Sequence, residues 1–427
     1  MPVNPTRLFD WKNWKKGLLP ALETHSEGKL KVLRNYVEDY ICILCADSYG
    51  RDTFKITMVD GFAGGGIYAL GKTGSPFVLL EAVETAAAKI NLNRQKPLTI
   101  DCHFYFVEEN ADAFECLSAN LSDSKYKDSL GKTVFLMKGT FQNSQPKIIL
   151  ETNQRFRRGG SRVIFFLDQC GYTDVNPQLL RSVSTQLNHK AEFIINFAVD
   201  WLSDFISDND VFRKIFPSLG LESQLTADEL ILAKEKSGHD WRYIVESMIG
   251  PAFRNVAGSP FFSPFYIAPV DNHRGYWLLH LAPHARARSA MLDVYWKNAN
   301  SHKHFGNAGL DMLAYKADVD QTGYLTGMSF DENTRQAAKT ALMTDFARLV
   351  RDSHAHGVCF KDFTNKYCNQ TLANQSLIAE TLEQLAAESQ IVIKGAKGNP
   401  KRSEKIQVND IILPCNQLLF DVFKTKK

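Results

Sequence analysis

Met58-Val59-Asp60-Gly61-Phe62-Ala63-Gly64-Gly65-Gly66 is the stretch whose reading decides the fold. Along Thr53 to Val59 the apolar residues Phe54, Ile56 and Met58 alternate, which is the two-residue period of a strand. The strand ends in a carboxylate, Asp60, and enters a turn whose glycines (61, 64, 65, 66) can adopt positive φ and bring bare N–H groups against a ligand. A strand running into such a turn is the usual ligand-site geometry of an open α/β sheet, outside the carboxyl ends of the strands. Glycine-rich turns also close ordinary hairpins. An acid at the strand end suits an amine or hydroxyl better than a pyrophosphate.

The flanking segments extend this grammar. A helix is predicted from about Lys29 to Asp47, with Leu30, Leu33, Tyr36, Val37, Tyr40, Ile41 and Leu44 at helical spacing. His25, in the polar segment before it, reads equally as a ligand contact or a helix entry. After the turn, Gly74-Ser75-Pro76 predicts a helix start, with Ser75 as N-cap and Pro76 in the first turn. Further strands are predicted at His103–Val107, Val134–Lys138, Val163–Leu167, Glu192–Phe197 and Tyr276–Leu281, with helices between them. The unbroken apolar run Val163–Leu167 is typical of a central parallel strand. This alternation predicts a doubly wound, mostly parallel, Rossmann-like α/β domain over residues 51–330, with a helical insertion near 200–260 and an N-terminal helical segment, 1–50.

Beyond residue 335 the order changes to three helices followed by a hairpin of Gln390–Lys394 and Lys405–Val408, the order of a winged helix. Lys394, Lys397, Lys401 and Arg402 make its tip basic, which suits nucleic-acid phosphates; a solvated loop in a protein-binding winged helix is the rival reading.

Composition is that of a globular chain: 44% hydrophobic, 23% charged, formal net charge +3 over 427 residues. That charge neither demands nor excludes nucleic acid. The start has no secretory apolar core, and no run of about 18 apolar residues offers a membrane span. Eight cysteines scattered through apolar segments read as reduced thiols of a cytoplasmic protein.

Three carboxylates fall at successive strand ends: Asp60, Glu108 and Asp168. Glu108, at the end of the second strand, is placed to take both hydroxyls of a ribose. The dehydrogenase fingerprint does not fit, because the helix starts well after the turn and Glu108 lies too far on. A P-loop does not fit either, since no strand immediately precedes Lys72-Thr73. S-adenosylmethionine suits the set best. Its charged end and ribose would lie against Asp60, Gly61, Phe62, Ala63, Gly64, Gly66 and Ser75, its hydroxyls on Glu108, and its adenine at Gly139-Thr140-Phe141. A metal-dependent nuclease built on the three acids is a weaker alternative, and no metal ligand set is predicted.

Asp60-Gly61-Phe62-Ala63-Gly64-Gly65-Gly66-Ile67-Tyr68 with Gly74-Ser75-Pro76 resembles the signature of the bacterial three-Cys-motif partner family, which is class I methyltransferase-like. The segment His25 to Tyr36, Phe165-Phe166-Leu167-Asp168 and Tyr295-Trp296-Lys297 are similar to it as well. The resemblance implies a role in bacterial modification or defence beside a partner protein encoded nearby. Where the family carries Asp-Pro-aromatic-Gly, this chain keeps Asp168 and Gly171 but has Gln169 and Cys170 between them. Enzymes that methylate base amines hold the amine with an acid or amide at a proline-rich turn and stack an aromatic on the flipped base. Asp168 and Tyr172 are the candidates for those tasks, and Cys170 is expected to be a packed thiol. Loss of the prolines opens a second reading, a catalytically degenerate scaffold.

Overall fold

Seven strands make one sheet in the order β3-β2-β1-β4-β5-β7-β6. They are β1 (Thr53–Asp60), β2 (Thr99–Glu108), β3 (Val134–Lys138), β4 (Val163–Leu167), β5 (Ala191–Phe197), β6 (Phe261–Ile267) and β7 (Tyr276–Ala282). The computed structural model describes residues 10–46, 52–92, 94–156, 162–169, 171, 173–236, 241–267, 276–297, 303–304, 309–310, 328–329, 331–400 and 405–415. The first five strands are parallel, and β7 runs antiparallel to both β5 and β6. This is a Rossmann-like, mostly parallel α/β sheet. All five β4 positions are buried, as its apolar run predicts. β6 was not anticipated, because Pro264 interrupts its sequence pattern; an edge strand tolerates a residue that cannot donate to the ladder.

The chain divides into two compact units, Met1–His304 and Phe305–Lys427. In the first, right-handed crossovers carry α2 (Ser75–Asn91) and α3 (Ala111–Ser122) past one face, and α4 (Phe141–Arg155) and α5 (Pro177–Gln186) past the other. Sequence order reverses between β1 and β4. In such sheets the ligand cleft lies outside the carboxyl ends of the strands at this reversal.

The N-terminal helix α1 spans Thr24–Cys45, five residues earlier than its apolar pattern predicts, so the polar segment before Lys29 is its first turns. Packing on α2 and on helix Ala285–Lys297 holds it. It is also tied to the sheet: the buried Tyr36 hydroxyl donates to Glu192 of β5, and His280 Nε2 of β7 lies 3.3 Å from the same carboxylate. Burial raises the Tyr36 phenol well above its usual range.

In the second unit the order is helix Glu332–Ser353, short strand Val358–Cys359, helices Phe360–Tyr367 and Gln375–Ala387, then strands Ile391–Lys394 and Ile411–Pro414. The last strand corrects the expected one at Lys405–Val408. Ile411 to Leu413 supply the apolar run, with Ile412 wholly buried between two neighbouring strands. Lys394 and Lys397 are exposed at the turn. Lys401 and Arg402 lie outside the described residues.

Several turn glycines are there for clearance. A Cβ on Gly61 would lie 2.6 Å from Leu167 Cδ2 and 3.2 Å from the Phe141 ring. Gly61→Ala should lower stability by about 1–3 kcal/mol through overpacking, read from urea unfolding.

Candidate functional site

Asp60 closes β1 and is wholly buried. One carboxylate oxygen accepts the Phe62 N–H at 3.1 Å, and Ser75 bonds the side chain as well. The other oxygen, Oδ2, has no hydrogen-bond partner among the described residues. Burial pushes the acid up to about 7; the charges of Asp168 and Glu108 add to this, while Ser75 and the Phe62 N–H oppose it. Ser75 does not cap the helix as expected. Gly74 is the N-cap, extended and bonded through its N–H to Gly66 C=O at 2.8 Å, which places the Ser75 hydroxyl beside Asp60.

Glu108 ends the parallel neighbour β2. Its Oε2 accepts the Gly64 N–H at 2.7 Å and its Oε1 the Asn110 N–H at 2.6 Å. Both oxygens of this carboxylate are engaged by backbone N–H groups. Asp60 and Glu108 thus grip the same turn from two strand ends.

The turn itself corrects one expectation. The N–H groups of its first four residues are engaged: Gly61 donates to Phe166 C=O and Ala63 to Val107 C=O, both at 2.9 Å. Those of Phe62 and Gly64 serve the two acids. Gly64 and Gly66 do take positive φ, +62° and +80°. Gly65 lies under the Trp11 ring, and a Cβ on Gly66 would lie 2.7 Å from Leu117 Cδ1.

Phe141 is 1% exposed and packs beneath Gly61 and against Phe165, so its ring is part of the core rather than a stacking surface. Thr140 caps α4, accepting the Asn143 N–H at 3.2 Å. Gly139 is bound through its N–H to Glu108 C=O at 3.0 Å, which fastens the exit of β3 to that of β2.

Asp168 follows the last residue of β4 and meets a residue the sequence reading missed. Lys29 of α1, 4% exposed, donates through Nζ to both Asp168 oxygens, at 2.6 and 2.9 Å. The signal was present: helical spacing puts Lys29 on one face with Val32, Leu33 and Tyr36, all wholly buried, and a lysine in an apolar stripe needs an anion. Two residues before Lys29, Glu27 pairs with Lys72 of the glycine-turn loop. The start of α1 therefore bridges the cleft. Gln169, wholly buried, accepts the Val175 N–H at 2.9 Å. Cys170 and Tyr172 lie outside the described residues, and the structure describes nothing of the His25 side chain.

No group of three or more His, Cys, Asp or Glu among the described residues is arranged to hold a metal ion. No described helix is long and apolar enough to cross a membrane.

Fold and site together define a Rossmann-like α/β protein with three acids at the carboxyl ends of neighbouring strands around its switch point. No family model matches the chain, and neither does any curated protein. Among solved structures it is similar to protein LPL1258 of Legionella pneumophila str. Philadelphia 1, described with the family model DUF519. That likeness has 10% identity over 64% of this chain and 94% of the other, with a TM-score of 0.31. It is also similar to cofactor-bound Rv0187 from MTB, at 11% identity over 58% and 79% of the two chains, with a TM-score of 0.27. Similarity this distant says nothing about chemistry.

Folded Asp60 keeps its proton up to about pH 7, whereas the unfolded chain releases it near 3.8. The folded state therefore binds more protons across that window, and its stability falls as pH rises through it, by about 4 kcal/mol in total. Asp60→Asn should flatten that decline in urea unfolding measured from pH 4 to 8.

Proposed function

We propose that the chain binds S-adenosylmethionine in this cleft and methylates nucleic acid, at an amino group of a base. The observation that carries the reading is Asp60: a wholly buried carboxylate with an unpartnered oxygen, beside Glu108, at the switch point of the sheet. A buried, unpaired anion is costly, and a cationic ligand offsets that cost. The sheet order, with β7 inserted antiparallel between β5 and β6, is the one class I methyltransferases share.

Bound there, the ligand supplies a methyl group on an electrophilic sulfonium. Asp60 binds its ammonium, and the Glu108 carboxylate takes the ribose hydroxyls. Asp168 accepts a hydrogen from the target amine and orients its lone pair. The second unit, read as winged-helix-like, holds the polymer, with Lys394 and Lys397 on phosphates. Resemblance to the three-Cys-motif partner family supports a bacterial modification or defence setting.

The rival reading is a scaffold that keeps the fold without the reaction. It is favoured by Lys29, which already engages both oxygens of Asp168.

Isothermal titration with S-adenosylhomocysteine should give binding that Glu108→Ala weakens about 10- to 100-fold, the worth of lost bonds to a charged acceptor. No binding, or affinity indifferent to Glu108→Ala, ends the reading. Asp168→Ala should keep that affinity and abolish transfer of tritiated methyl to DNA or RNA. Transfer by the unaltered chain, lost in Asp168→Ala, rules out the scaffold. Affinity should also weaken as pH falls below about 7, where Asp60 takes up a proton; Asp60→Asn should remove that dependence.

A further inference from the structure

We propose that Lys29 is a positioning residue of this site, fixing the Asp168 carboxylate where a proline-rich turn does so in base-amine methyltransferases; this rests on the methyltransferase reading. Asp168 lies just past β4, in a turn with no proline, and Gly171 takes φ +136°. The backbone alone therefore leaves the carboxylate free to rotate.

Two contacts from outside the turn replace the missing rigidity. Gln169 anchors the main chain: its side chain accepts the Val175 N–H at 2.9 Å, and Asn196 Nδ2 lies 3.5 Å from its C=O. Lys29 anchors the side chain by reaching both oxygens from α1. Its helix is a firm mount, since Tyr36 two turns on is bonded to Glu192 inside the sheet.

Stability does not explain a lysine here. Replacing a buried ion pair with apolar side chains of similar size is often neutral or stabilising. What the pair supplies is direction. Lys29 is 5% exposed at its side chain and Asp168 is 27% exposed, so the cation stays inside while the anion keeps a face toward the cleft. Lys29 takes one lone pair on each oxygen, and each keeps a second that can accept a donor hydrogen.

The test compares the unaltered chain with Lys29→Met, Lys29→Arg, Asp168→Asn and the Lys29→Met/Asp168→Asn pair. It measures S-adenosylhomocysteine affinity, melting temperature, and kcat and KM for tritiated methyl transfer from S-adenosylmethionine to a nucleic-acid pool. Lys29→Met should leave affinity and KM within about twofold and lower kcat about 100-fold, the cost of misplacing a reacting group. Lys29→Arg should recover part of kcat. The double variant should be no slower than Asp168→Asn alone, because the two residues act as a unit. Unchanged kcat in Lys29→Met overturns the proposal, as does a loss of kcat that tracks lower melting temperature and weaker affinity. If the unaltered chain binds no S-adenosylhomocysteine, the methyltransferase reading fails and this one with it. If it binds but transfers nothing, the scaffold reading stands and Lys29 has no acceptor to position.

Discussion

A carboxylate excluded from water at the end of the central strand is the constraint on which the rest of this structure depends. Asp60 is wholly buried, with Glu108 and Asp168 near enough for their charges to act on it. Like charges at neighbouring strand ends resist ionisation together. The fold relieves this by hydrogen bonds to the Phe62 N–H and Ser75, and by a lysine on Asp168. One oxygen of Asp60 is left unsatisfied.

The turn between these acids is shaped by close approach. Leu167, Trp11 and Leu117 come so near to Gly61, Gly65 and Gly66 that side chains there would collide with them. Glycine in this motif thus allows the N-terminal segment and α3 to press on the turn from outside while the sheet presses from beneath. The donors that a glycine turn often presents to phosphate are here turned inward, toward two acids and two strand carbonyls.

Helix α1 joins the chemistry to the scaffold. Its first turns span the cleft through Glu27–Lys72 and Lys29–Asp168, and its next turns are held by Glu192 in the core. A cationic side chain inside an apolar stripe loses hydration that only a nearby anion restores. The anion is 139 residues away in sequence, at the end of the fourth strand.

Local pattern was enough to read the strand–turn–helix order, the parallel run through β5, and the three acids at successive strand ends. These follow from side-chain period and from residue type at strand termini, which are properties of a few neighbouring residues. Tertiary structure alone decided the rest. Pro264 hid β6 until its edge position made the missing donor harmless, and Ser75 exchanged a capping role for a bond to Asp60. Phe141 went to the core, and Lys29 met Asp168. Each outcome depends on which distant segment arrives beside the residue, and burial and hydrogen-bond partners exist only once the chain has closed on itself.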